Sequence, residues 1–79
     1  MLDAVLNAVR EKIAEREALY AGTWTKIRTE DLIAVARVKT YRATTLLNSN
    51  EKAKLEDDLI DAIAYLVFAL VKVKGGEEK

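Results

Sequence analysis

The pattern of apolar and polar positions predicts three helices and no strands. Apolar residues recur at alternating steps of three and four along three segments, as expected for helices that bury one face. The predicted helices cover about residues 3–20, 30–47 and 51–74. We therefore expect an all-α fold with a single helical domain at residues 1–74 and a flexible C-terminal tail at 75–79.

Short polar connections separate the predicted helices. Gly22 follows the first helix and suits the left-handed conformation in which many helices end. Thr29 precedes Glu30 and Asp31, so we expect its hydroxyl to cap the second helix. The turn at residues 48–50 is too short to pass around another element. Helices two and three are therefore predicted to be antiparallel neighbours.

The third predicted helix is apolar on nearly every side. One stripe consists of Leu55, Leu59, Ala62, Leu66, Ala69 and Val73, and a second of Ile63, Val67 and Leu70. Two shorter helices cannot cover such a helix all round, and a domain of this size gains only a few kcal/mol from its own core. We therefore predict a homodimer or higher oligomer in which two chains pack their third helices into a shared bundle core.

Composition excludes several kinds of chemistry. The 79-residue chain has no His and no Cys, so it lacks the commonest general base, thiolate zinc ligands and disulfides. Its 13 basic and 13 acidic residues balance, which argues against a nucleic-acid partner. A third of the chain is charged, and Pro, Cys and Gln are absent, a composition that resembles the thermophile tendency.

Hydropathy argues against a membrane partner. The longest apolar run, at residues 62–71, is about half the length that spans a bilayer. The chain begins without a basic region followed by an apolar core and a small-residue cleavage site, so no signal peptide is expected. We therefore expect a cytoplasmic protein.

The third helix carries an acidic cluster that needs compensation. Asp61 has only apolar neighbours at residues 59–63, and Asp58 lies one turn before it on the same face. Because like charges at that spacing repel each other, a cation should lie nearby. In one interpretation the antiparallel register places Arg37 level with Asp61, and Tyr41 and Arg42 level with Asp57. Arg37 then pairs with Asp61.

A second interpretation makes the cluster a magnesium site. Asp58 and Asp61 would supply oxygen ligands to Mg²⁺, which often binds through one or two carboxylates plus substrate phosphates. Arg37, Lys39 and Arg42 would then contact the phosphates of a nucleotide.

Two aromatic residues flank Gly22 in the first connection. Tyr20 and Trp24 could stack on a nucleobase, as aromatic side chains do in single-strand and nucleotide sites. In the alternative interpretation they close one end of a small bundle.

Three groups of residues together resemble a known family. They are Arg16-Glu17-x-x-Tyr20-x-Gly22-x-Trp24, Lys39-x-x-Arg42, and Glu56-Asp57-Asp58-Leu59-Ile60-Asp61-Ala62-x-x-Tyr65. In this order they are similar to the nucleotide modification associated domain 1 family. Its members are small helical proteins of phages and archaeal mobile elements, distantly similar to MazG-like all-α nucleoside triphosphate pyrophosphohydrolases.

The resemblance implies an oligomeric helical bundle that serves nucleotide metabolism or DNA modification and binds nucleotide phosphates. Asp58-x-x-Asp61 is similar to the Glu-x-x-Asp metal motif of the MazG-like enzymes. Their second motif, Glu-Glu-x-x-Glu, is missing, because the second helix has Arg37, Lys39 and Arg42 there. A Mg²⁺-dependent pyrophosphohydrolase activity would therefore be altered or absent. The alternative is a non-catalytic structural or interaction module, or a small regulator, from a virus, plasmid or archaeon.

Overall fold

A computed structural model describes residues 1–20 and 22–76, with the side chain of Tyr20 left out. The elements in chain order are α1 (Leu2–Tyr20), a 3₁₀ turn (Thr23–Lys26), α2 (Thr29–Leu46) and α3 (Lys52–Lys74). The described part contains no strand, so the all-α prediction is confirmed, with each helix end within one residue of its expected place. Of the predicted tail, residues 75 and 76 form a turn, and 77–79 lie outside the described residues.

The packing of α2 against α3 is antiparallel. Arg42 pairs with Asp58, and Lys39, one turn earlier on α2, pairs with Asp61, one turn later on α3. Pairs that run in opposite directions along the two helices require antiparallel axes. The Asn-Ser-Asn turn closes this hairpin, where the Ser49 hydroxyl donates to the Leu46 carbonyl and accepts from the Glu51 N–H.

Small residues in the helices allow the axes to approach closely. Leu32 is fully buried, and alanines occupy most of the other core positions on α2 and α3. These are Ala36, Ala43, Ala62, Ala64 and Ala69. Larger side chains concentrate at one end of the bundle, where Trp24 and Phe68 pack around Leu32, with Ile13 and Tyr65 beside them. The core of the single chain is therefore narrow along the hairpin and wider at that end.

The connection between α1 and α2 differs from expectation at one point. Gly22 has a φ of 78°, which confirms the left-handed position predicted for it. The prediction that Thr29 caps α2 is wrong. Arg28 occupies the N-cap position in an extended conformation, and its carbonyl accepts from the N–H groups of Asp31 and Leu32. The helix thus begins at Thr29 itself, which is buried.

The lengths and hydropathies of the helices bear on a membrane location. Among the described residues, no helix is both long enough and apolar enough to cross a bilayer.

Candidate functional site

One buried carboxylate joins the three helices. The Asp61 side chain on α3 is only 3% exposed. Its Oδ1 accepts a hydrogen bond from Arg16 Nη2 on α1 at 2.8 Å, and its Oδ2 lies 3.3 Å from Lys39 Nζ on α2. Lys12 Nζ, one turn before Arg16, lies 3.9 Å from Oδ1. We call Lys12, Arg16, Lys39 and Asp61 the Asp61 cluster.

A second ion pair extends the Asp61 cluster along the hairpin. Arg42 holds Asp58 with two hydrogen bonds, from Nε to Oδ2 at 2.9 Å and from Nη2 to Oδ1 at 2.5 Å. Such a bidentate geometry fixes the carboxylate in orientation as well as position. The Asp58 side chain is buried, whereas that of Arg42 is mostly exposed. Asp57 faces solvent and accepts from Lys12 Nζ at 3.1 Å.

The pKa values of both buried carboxyls shift downward. The two hydrogen bonds from Arg42, aided by its charge, lower the pKa of Asp58. Burial of the Asp61 carboxyl acts to raise its pKa, but the hydrogen bonds and charges of Arg16 and Lys39 outweigh burial and lower the pKa. The hydrogen bond to Asp57 raises the pKa of Lys12. All of these groups therefore stay charged at neutral pH, and the cluster is a network of ion pairs.

The expected pairing of Arg37 with Asp61 is wrong, because Lys39 takes that place. Helical side chains lean toward the N-terminus of their own helix, so in an antiparallel hairpin they reach past the residue level with their Cα atoms. The pairs Lys39–Asp61 and Arg42–Asp58 are each displaced by about two positions from the register counted along the backbone. Two positions turn a helix by about 200°, so Arg37 is left on the exposed side.

The two carboxylates proposed as magnesium ligands already face cations. Both oxygens of Asp58 accept from Arg42, and each oxygen of Asp61 has a cationic partner from another helix. Among the described residues, no group of three or more carboxylates is arranged to hold a metal ion. A Mg²⁺ ion would have to displace Arg42, Arg16 and Lys39. The donor set therefore does not fit magnesium, and the geometry favours the ion-pair interpretation.

Trp24 lies at the far end of the bundle from Asp58. Its ring stacks on Phe68 with centroids 4.6 Å apart, and Tyr65 meets the same Phe68 edge-on. Its Nε1 atom is buried without a hydrogen-bond partner in the described part of the chain, so stacking holds the ring. Trp24 is 9% exposed, a position that favours the closing role over a nucleobase contact. The Tyr20 side chain, named with it, lies outside the described residues.

The 3₁₀ turn that carries Trp24 is held by a buried lysine. Lys72 Nζ on α3 donates to the backbone carbonyls of Thr25, at 3.1 Å, and Ile27. Lys72 is one of three buried charged residues in the described part of the chain, and it fixes the connection between α1 and α2 to the last turns of α3. The sequence pattern places Lys72 at the polar end of a long helix and contains no sign of this contact.

The predicted site residues do not converge on one cleft. A groove of about 650 Å³ near the hairpin turn is lined by Arg42, Leu46, Ala53, Lys54, Asp57 and Asp58. It contains Arg42 and Asp58 but neither Trp24 nor Arg37. Its two basic and two acidic residues balance. The groove therefore offers no excess of positive charge to attract phosphates.

Lys12 and Arg16 are site residues that sequence reasoning passed over. They interrupt the apolar stripe of α1 on the side that carries Val9 and Ile13, which are buried and half-buried. Lys12 and Arg16 are two cations one turn apart on a side of α1 that faces the core. Their charge is complementary to that of Asp61, which stands alone among apolar residues on α3. That complementarity is the signal that could have identified the pair. The separation of 45 positions between Arg16 and Asp61 hides it from any local search.

A second surface of α3 remains apolar and exposed. Five residues, separated by steps of four, three, four and three, are each between 40% and 58% exposed. They are Leu59, Ile63, Leu66, Leu70 and Val73, and we call them the apolar seam. A groove of about 470 Å³ between α1 and α3 brings Val5 beside Leu59 and Ile63, and on the α2 side Ile33 lies near Leu66.

Comparison with known proteins gives no further constraint on the site. No family model, no curated protein and no solved structure matches this chain.

Proposed function

We propose that this chain is a non-catalytic helical interaction module that self-associates through the apolar seam. The observation that carries the proposal is the seam itself, five large apolar side chains exposed at 4-3-4-3 spacing along α3. That spacing is the repeat with which helices pack against one another in coiled coils and bundles. Monomeric proteins rarely expose a contiguous apolar surface of this kind.

The amount of exposed surface supports the same proposal. The chain has an accessible surface of 5797 Å². A compact monomer of 8.8 kDa exposes about 4,800 Å². The excess is roughly a fifth, comparable with the ~800 Å² that each partner buries in a standard interface.

The test is the mass of the particle in solution. We expect the wild-type chain to sediment as a dimer or larger species at tens of micromolar. Leu66→Glu places a carboxylate at the middle of the seam on both copies, and burying such charges costs several kcal/mol per ion. The dissociation constant should therefore rise at least a hundredfold. Analytical ultracentrifugation over a concentration series measures it.

Val38→Glu is the matched control for Leu66→Glu. Val38 lies on α2 and is 62% exposed, more than Leu66, but it is outside the seam. The same substitution there should leave the dissociation constant unchanged within about a factor of two. A wild-type chain that is folded and monomeric at tens of micromolar would refute the proposal. Equal weakening by both substitutions would also refute it, because the effect would then not be specific to the seam.

Nucleotide association, which the family resemblance implies, stays a prediction of the sequence. Lys39 and Arg42 are committed to carboxylates, Arg37 lies on another side of α2, and Trp24 is buried at the far end. Titration with nucleoside triphosphates, with and without Mg²⁺, tests it through the heat of binding and the midpoint of thermal unfolding. No binding heat and no thermal shift at millimolar nucleotide would count against it.

A further inference from the structure

We infer that the partner on the apolar seam is a second copy of this chain whose α3 runs antiparallel, related by a two-fold axis beside Leu66. This inference rests on the self-association proposed above. It specifies which helix covers the seam, in which direction it runs and at which register.

Two exposed charges mark the ends of the seam. Glu56 precedes Leu59 by one turn, and Lys74 follows Val73. Within the described residues neither makes an ion pair, so both are available to a partner. Lys74 follows Glu56 by eighteen positions, about five full turns, so both lie on the same edge of α3. The seam therefore has an acidic end and a basic end along one edge.

An antiparallel two-fold arrangement brings these charges together. The axis is perpendicular to both helices, so it reverses their direction and keeps the same edge on the same side of the interface. Glu56 then lies at the height of the partner's Lys74, and the pair occurs twice. The midpoint between Glu56 and Lys74 is position 65, and the midpoint of the seam is Leu66. One register thus satisfies both the charges and the apolar side chains.

A parallel arrangement makes no such pairs. Its two-fold axis runs along the helices and carries the shared edge to the opposite side of the interface. Glu56 would then be level with the partner's Glu56, and Lys74 with the partner's Lys74, but on opposite sides of the interface. The macrodipoles of the two α3 helices would also point the same way, whereas antiparallel packing opposes them. Both effects favour the antiparallel dimer over the parallel one.

Cysteine cross-linking tests the orientation directly, since the chain has no cysteine of its own. In the antiparallel dimer, position 56 is about 28 Å from the partner's position 56, far beyond the ~7 Å between Cα atoms that a disulfide tolerates. Glu56→Cys alone should therefore give no covalent dimer under mild oxidation. A mixture of Glu56→Cys with Lys74→Cys should give a covalent heterodimer, with up to half of the chains cross-linked. Val38→Cys lies outside the seam. It should give no covalent dimer, either alone or in a mixture with Lys74→Cys.

Charge exchange gives an independent readout. Glu56→Lys should weaken the dimer about tenfold, because both ion pairs become repulsive. The double variant Glu56→Lys with Lys74→Glu recreates both pairs in the antiparallel dimer and should restore the wild-type dissociation constant. In a parallel dimer Glu56 has no charged partner across the interface at its own edge, so the single substitution should change the dissociation constant little.

The outcomes separate this inference from the proposed function. Covalent dimers of Glu56→Cys alone, or the absence of a cross-link in the mixture, would overturn the antiparallel register. A dimeric mass in solution would in that case still support self-association through the seam. A monomeric wild-type chain would overturn both. Cross-linking only in the mixture, with rescue by the double variant, supports the inference.

Discussion

Replacing Asp61 by Asn removes one negative charge from the point where the three helices meet and keeps the volume of the side chain. Arg16 loses its 2.8 Å partner and Lys39 loses its 3.3 Å partner. Lys12 keeps Asp57 at 3.1 Å. The substitution therefore leaves two cations of different helices facing each other, each with about a fifth of its side chain exposed.

The size of the effect follows from this burial. Breaking a buried pair so that a charge stays behind costs about 3–5 kcal/mol. Because Arg16 and Lys39 retain some contact with water, we discount this to about 2–4 kcal/mol. A domain of this size has roughly 5 kcal/mol of stability or less, so Asp61→Asn should lose most of it. The free energy of unfolding of a small domain falls by about 1 kcal/mol for each molar of urea. The urea concentration at the midpoint of unfolding should therefore fall by about 2 M or more.

Urea unfolding at one fixed protein concentration measures the change, followed by helical circular dichroism and by the emission of Trp24. The matched control is Asp57→Asn, which removes an exposed charge paired with Lys12 alone and should cost less than about 1 kcal/mol. Asp61→Leu combined with Arg16→Met and Lys39→Met should recover most of the loss, because an apolar group replaces the whole network. Equal free energies of unfolding for Asp61→Asn and Asp57→Asn would refute the role assigned to the cluster.

Three further predictions concern acid, the first connection and the aromatic end. The pKa values of Asp58 and Asp61 are lowered in the folded chain, so the unfolded chain binds more protons on acidification. The stabilisation that these two carboxylates give should be complete above about pH 4 and lost as the pH falls through their folded pKa values. Replacing both Asp58 and Asp61 by Asn should flatten the dependence of the free energy of unfolding on pH, measured in an acid titration. The Cβ atom that Gly22→Ala adds would meet no atom within 4 Å, but the residue must keep a φ of 78°. The substitution should therefore lower the free energy of unfolding, measured in urea, by about 1 kcal/mol. An unchanged free energy would contradict the left-handed assignment. Phe68→Ala should cost about 3–5 kcal/mol and shift the Trp24 emission to longer wavelength, and unchanged emission would argue against the stacked pair.

Sequence reasoning about the candidate site singled out Asp61 but did not identify its partners. Asp61 stands out because a charge among apolar neighbours on a helix needs a partner, and the structure supplies three cations. The choice of Arg37 failed because counting along the backbone ignores the lean of helical side chains, which carries Lys39 to Asp61 instead. Arg16 was out of reach of local patterns, since only the packing of α1 across α3 brings it to Asp61.

The three helices, their ends and the direction of the α2–α3 hairpin are determined by the sequence alone. Their causes are local: the 3.6-residue period of apolar positions, a glycine at the left-handed position and a turn too short to allow anything but an antiparallel return. Which charges meet at Asp61, and which stripe of the largely apolar α3 stays exposed, were decided by the tertiary structure. Both depend on where α1 and α2 lie around α3, because two helices cover only two of its sides and leave the Leu59-to-Val73 seam in contact with water.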